Sequence, residues 1–198
     1  MIGNVVGRPD WPREMVIRVD EKDPVLLELL FARAYWNLDT YSEIPREDPR
    51  VPTRASGVPS PALASRWGQD WNERVTALDD GDTRPPATSI ADPAQFNQWL
   101  AAQPQRWSDL LRADWPGDAY ADWLESVLAP TRGIPLERSP ERIAVDSLRE
   151  AWSRGLREIV VIPVEGEYSR RLRDDAVLVS SALRGRADAY AEVLTAWR

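Results

Sequence analysis

The sequence predicts an α+β fold, mainly helical, with about seven helices and a small sheet of two to three strands. Three observations lead there. Four dipeptides, Asp23-Pro24, Ser60-Pro61, Asp92-Pro93 and Ser139-Pro140, each set a capping side chain before a proline. A wholly β-branched run, Ile159–Ile162, lies in the C-terminal third. The chain also holds 43% hydrophobic and 29% charged residues, the balance of an ordinary globular protein.

The capping pairs open helices for a physical reason. The Asp or Ser oxygen accepts a hydrogen bond from an orphan N–H of the first turn, and proline next to it lacks only an N–H that had no partner. The first helix, about 24–41, aligns Leu27, Leu30, Phe31, Ala34, Tyr35 and Leu38. The second, about 61–78, aligns Ala64, Trp67, Trp71, Val75 and Leu78. Three short helices follow, led by Pro93, Pro104 and Pro116, each with an aromatic and then an apolar pair three and four residues on. A helix at about 140–154 carries Ala144, Val145, Leu148 and Trp152 and stops at Gly155, a left-handed cap.

Ile159–Ile162 then reads as a central strand covered on both faces, ended by Pro163. Ala176–Ser180 is a second strand, and Met15–Val19 a third at the sheet edge. The two C-terminal strands are expected to pair antiparallel, because no well-patterned helix lies between them. A final helix, about 186–197, sets Ala187, Tyr190, Ala191, Leu194 and Trp197 on one stripe. Residues 139–198 therefore form a helix–strand–strand–helix unit.

A chain of 198 residues suits a single globular domain, 1–198. A subdivision falls at the break Pro130–Arg138. Residues 1–129, the Trp-rich helical part with its Pro-rich strap 42–60, hold 21 acidic and 13 basic residues. Residues 130–198 hold 11 and 12. The acidic part repels nucleic acid and anionic membrane. The expected partner is therefore another protein, with self-association left open. The first twenty residues lack an apolar segment of signal-peptide type, so a cytoplasmic protein is expected.

Absences narrow the chemistry. The chain has no histidine and no cysteine, and one lysine, Lys22, against 24 arginines. No Ser-His or Cys-His nucleophile pair can form, and neither imidazole nor thiolate is available for a metal or haem. No cofactor or metal site is expected. Phosphate-binding glycine loops are missing, and Asp79-Asp80-Gly81-Asp82-Thr83 fails the EF-hand pattern because Ile90 stands at its twelfth position. The composition weighs against catalysis and favours binding to a macromolecule. A carboxylate-dependent hydrolase acting on a sugar or phosphorylated small molecule is the alternative.

Two sets of residues are candidates. Trp11, Trp36 and Trp115 fit no buried helical stripe, so they are the expected interaction surface, whereas Trp67, Trp71, Trp99, Trp107, Trp123, Trp152 and Trp197 lie on stripes that should be buried. The connection after the central strand, Glu165–Asp175, collects four carboxylates, three arginines, Tyr168 and Ser169 where α/β sheets often bind ligands. There Arg170 and Arg171 would clamp an anion. Glu165, Glu167 and Tyr168 would supply any acid–base chemistry.

Overall fold

The computed structural model describes residues 11–38, 43–54, 61–80 and 92–197. The expected openings hold where they can be seen. Helix α1 is Pro24–Tyr35, α2 Pro61–Asp80, α3 Pro93–Ala101 and α6 Pro140–Ile143, each starting on its proline. Asp23 accepts from the Val25 and Leu26 amides, Asp92 from Ala94 and Gln95, and Ser139 from Arg142. The proposed Ser60 cap, and Gly81–Thr83, lie outside the described residues.

The remaining helices are α4 (Trp107–Leu110), α5 (Gly117–Leu128), α7 (Val145–Ser153), α8 (Ser181–Arg184) and α9 (Ala187–Thr195). Several bounds differ from expectation. Helix α1 stops at Tyr35 because Asn37 takes a left-handed φ of 50°, and the Leu38 amide closes back on the Arg33 carbonyl. The segment led by Pro104 shrinks to the single turn of α4, which begins three residues later. The helix expected over 140–154 is two, broken at Ala144 (φ −92°, ψ 23°). Gly155, at φ 114°, ends α7 as a left-handed cap.

The sheet has four strands among the described residues, against the two to three expected: β1 Arg18–Asp20, β2 Glu158–Ile162, β3 Ser169–Arg173 and β4 Ala176–Ser180. Their order is β1-β2-β4-β3, with β1 and β4 both parallel to β2 and β3 antiparallel to β4. The expected antiparallel pairing of the two C-terminal apolar strands is therefore corrected to parallel. The reason is β3. Ser-Arg-Arg-Leu-Arg reads as a charged loop, but it forms the edge strand that reverses the chain, so β4 can re-enter alongside β2 in the same direction. Charged side chains are the usual dress of an edge, where they discourage pairing with another chain. The N-terminal edge strand is also shifted, to Arg18–Asp20 from the expected Met15–Val19.

Strand β2 is buried throughout and feeds two layers by alternation. Val160 and Ile162 join Leu172, Ala176 and Leu178 beneath α1, α2, Trp107 and Trp123. Ile159 and Val161 join Val177 and Val179 beneath α7, α8 and α9, with Met15. The result is an α+β molecule whose sheet is covered on both faces and whose C-terminal part runs helix–strand–strand–helix, as expected.

Among the described residues five carboxylates are buried, and each meets an arginine: Asp23 with Arg74, Glu28 with Arg106, Glu47 with Arg33, Glu141 with Arg184 and Glu158 with Arg173. Arginine suits this role because its planar fork satisfies several acceptors at once. Arg33 donates to Glu47 and to the carbonyls of Ile44 (3.0 Å) and Pro45 (2.5 Å), which ties the strap to α1. The strap then runs beside the chain leaving β2. Asp48 N donates to Pro163 O at 3.0 Å, and Glu165 N to Arg46 O at 2.7 Å. Ile44 and Val51 are buried, so the described part of the expected 42–60 strap, residues 43–54, is packed chain.

Candidate interaction surface

The connection Glu165–Asp175 does not form the expected anion clamp. Successive residues of a strand face opposite ways, and β3 obeys this. The Arg171 guanidinium lies over the Trp197 ring, 4.6 Å from its centroid, and bonds Asp174 at 3.1 Å. Arg170 instead bonds Tyr168, which packs against the α1/α2 layer. Burial raises the Tyr168 phenol pKa, and the nearby Arg170 charge only partly opposes that. The two carboxylates also separate: Glu165 lies 3.9 Å from Arg50, and Glu167 pairs with Arg186. A bulge at Leu172 turns Arg173 away from both, to Glu158 at 2.5 Å and the Leu78 carbonyl at 2.5 Å, where it neutralises the end of α2. Ser180 is equally committed, with Oγ donating to Gly166 O at 2.6 Å and accepting from the Tyr168 and Leu183 amides.

The three unplaced tryptophans part company. Trp36 is 8% exposed and sits within the core, so it is not a surface ring. Trp11 is half-buried. Its Nε1 donates to Met15 O at 2.7 Å, and the Arg142 guanidinium covers its face at 4.7 Å. Trp115 is half-buried against the α1/α2 core. Of the rings expected to be buried, Trp67, Trp71, Trp107, Trp123 and Trp197 are, while Trp99 and Trp152 keep a half-exposed side. Helix α3 carries Trp99, and no residue of this helix is fully buried.

Trp115 belongs to a cluster built on α1. Phe31, fully buried, contacts Tyr35 (5.4 Å between centroids), Trp115 (5.5 Å), Tyr120 (5.1 Å) and Trp123 (5.6 Å). Trp115 meets Trp36 at 5.9 Å and Tyr120, edge on, at 5.3 Å. These are the offset and edge-to-face arrangements that ring quadrupoles favour. Trp36 and Trp123 are buried, while Tyr35, Trp115 and Tyr120 are half-exposed; Tyr35 and Trp115 both touch Trp36, and Trp115 touches Tyr120.

Polar contacts fix the elements that carry these rings. Glu28 of α1, 2% exposed, receives Arg106 Nη2 at 2.5 Å, Ser108 Oγ at 2.8 Å and the Ser108 amide at 3.2 Å, which pins the start of α4 to α1. Trp107 Nε1 donates to Asp70 on α2, and Trp123 Nε1 to Pro49 O of the strap. The Tyr120 phenol pKa is pushed up to about 12, by burial first and then by the Glu28 charge. It therefore stays neutral at physiological pH.

The chain that follows Leu111 through α5 carries exposed acids. Asp114, Asp118 and Asp122 are exposed, and none has an ion-pair partner among the described residues. Trp115 is among the rings the sequence offers as an interaction surface, whereas Tyr35 and Tyr120 are not. Both lie on stripes expected to be buried, and only the packing around Phe31 shows that these stripes reach the surface. Among the described residues, no three acidic groups lie close enough to hold a metal ion, and no helix is long and apolar enough to cross a membrane. No protein-family model, no curated protein and no solved structure matches this chain.

Proposed function

We propose that this protein works by binding another protein through the face formed by Tyr35, Trp115 and Tyr120. One observation carries the reading: three half-exposed rings share contacts with a buried Phe31, on a stretch of chain whose Asp114, Asp118 and Asp122 are exposed and have no ion-pair partner among the described residues. Protein interfaces favour this composition, since Tyr and Trp offer large contact area at small cost in side-chain entropy. The aspartates repel phosphate, which disfavours nucleic acid as the partner. The reading fits a cytoplasmic binding protein, and the pairing of Glu165 and Glu167 with separate arginines gives a hydrolase no support.

The test is a partner isolated with the 198-residue chain, then purified and titrated against it. The double charge reversal Asp118→Lys with Asp122→Lys should weaken binding by about tenfold or more, about 1.4 kcal/mol. Asp146→Lys, on the opposite layer, should leave it unchanged. A partner indifferent to the reversal would overturn the assignment of this face.

A further inference from the structure

The sheet ends in two edges of opposite character. At β3 the Tyr168 carbonyl accepts from the Ser180 amide, so alternation turns the backbone of Ser169 and Arg171 outward. Two copies paired there about Arg171 would set that arginine against itself, and the bulge between Arg171 and Arg173 breaks the row. This edge is closed to self-pairing.

Strand β1 lacks these defences. The Arg18 amide donates to Arg157 O at 2.9 Å, so Arg18 and Asp20 address β2, and the Val19 N–H and C=O point away from the sheet. Among the described residues neither group has a hydrogen-bond partner. The strand contains no proline and no bulge. Ile17 and Val19 are half-exposed at the margin of the α7–α9 layer, and Val16 is 74% exposed.

Charge decides what fits this edge. The strand reads Arg18-Val19-Asp20, with opposite signs at equal distances from its centre. An antiparallel copy related by a two-fold axis at Val19 places Arg18 opposite Asp20 at both ends, and the two Val19 residues exchange both outward hydrogen bonds. In the single copy Arg18 turns back to Asp20 at 3.1 Å and to Glu158 at 3.4 Å; the first of these contacts is the one a second copy replaces. The surroundings are neutral too. Arg13, Arg18 and Lys22 balance Glu14, Asp20 and Glu21, in a chain whose net charge is −7. A second copy therefore meets less repulsion here than over the molecule as a whole.

We propose that β1 is a self-association edge, on which a second copy of this chain pairs its own β1 antiparallel about Val19 and joins the two sheets into one. The inference goes beyond the protein-binding reading above and does not rest on it. Three-residue strands bury little area, so the dimer is weak and reversible, with a Kd of about 10–100 μM.

Sedimentation equilibrium of the 198-residue chain across about 5–500 μM is the test. A reversible monomer–dimer equilibrium is expected, with exchange of the Val19 amide slowing as the dimer fills. Arg18→Glu and Asp20→Arg each set like charges opposite one another twice per dimer and should raise Kd about tenfold or more. An equimolar mixture of the two variants restores opposite charges at both positions and should dimerise within about threefold of the wild type. Glu158 keeps its bond to Arg173 in the Arg18→Glu chain, and circular dichroism matching the wild type shows that both variants are folded. A chain that stays monomeric, or a Val19 amide indifferent to concentration, would overturn the proposal. So would a dimer unmoved by either substitution, which uses another surface, or a mixture that fails to restore it.

Discussion

The two layers that cover the sheet are built from different materials. Beneath α1 and α2 six aromatic rings, Phe31, Trp36, Trp67, Trp71, Trp107 and Trp123, are buried among the aliphatic side chains. Beneath α7, α8 and α9 it is aliphatic, with Leu148, Leu156, Leu183 and Leu194 around Tyr190 and Trp197. Large rings project beyond the core they fill, so the first layer brings aromatic surface to solvent as a by-product of packing. Branched aliphatic chains end inside, and the second layer shields its half-exposed indoles with its own arginines. The contrast teaches that core composition decides which face of a molecule has contact area to offer. Each layer is nonetheless locked by a buried arginine–carboxylate pair, Asp23–Arg74 in one and Glu141–Arg184 in the other.

The largest expected effect tests whether those two locks are equivalent. Removing one member leaves an uncompensated buried charge, so Arg74→Met and Arg184→Met should each cost about 3–5 kcal/mol in urea unfolding. Arg184 also meets Glu21, and Tyr190 bonds Glu141 at 3.2 Å. Burial works against the Arg184 charge, but the hydrogen bond and attraction of Glu141, then Glu21, outweigh it and raise its pKa. A markedly smaller loss for Arg184→Met than for Arg74→Met would show that the aliphatic layer does not depend on its lock.

Helix caps separate the layers next. Ser139→Ala, at the start of the α6–α7 pair, should cost about 0.5–2 kcal/mol of global stability. Asp92→Ala should lower helicity in α3 with little change in the global midpoint, because α3 has no fully buried residue. Amide hydrogen exchange over 93–101 would record the difference. Equal global losses would mean that α3 is integral to the aromatic layer.

Two titrations sharpen the same comparison. Tyr120 ionises at about 12 in the folded chain against an ordinary value of 10.0. A raised folded value adds stability below the unfolded pKa that is lost as pH rises through the folded one. The wild type should therefore lose stability relative to Tyr120→Phe between about pH 10 and 12. Glu47 is raised as well, chiefly by burial and against the attraction of Arg33. By the same sign, the stability of wild type relative to Glu47→Gln should fall as pH rises above the ordinary carboxylate range. Parallel urea midpoints across pH would contradict either statement. The smallest effect belongs to the second layer's surface: Arg142→Ala should cost about 0.5–1 kcal/mol by uncovering Trp11.

What the sequence disclosed was local. Asp-Pro and Ser-Pro pairs mark helix starts through contacts within one turn, and Ile159–Ile162 declares its double burial through residue type alone. What it concealed was tertiary. Glu28 and Arg106 stand far apart in the chain, and nothing near either shows that both enter the interior. Arg170 and Arg171 make a clamp only if Ser169–Arg173 is a loop. Once the segment is extended, alternation sends the two side chains to opposite faces. Trp36 falls off the apolar stripe of the helix expected over 24–41, yet Trp115 and Tyr35 enclose it from either side.

The pairing of Arg18 with Glu158 sets an order in time. Strands β2, β3 and β4 lie within residues 158–180 and can form a local nucleus, whereas β1 must wait until residues 158–160 have been made. Non-local parallel pairing is slow for this reason, since a long loop closes before any contact rewards it. During synthesis Leu26, Leu29 and Leu30 of α1 have no sheet to cover them until residue 160 has emerged. A nascent chain halted before that point is a set of amphipathic helices with open apolar faces, prone to aggregation. Completion of the C-terminal hairpin is thus the event that commits the N-terminal half to its fold.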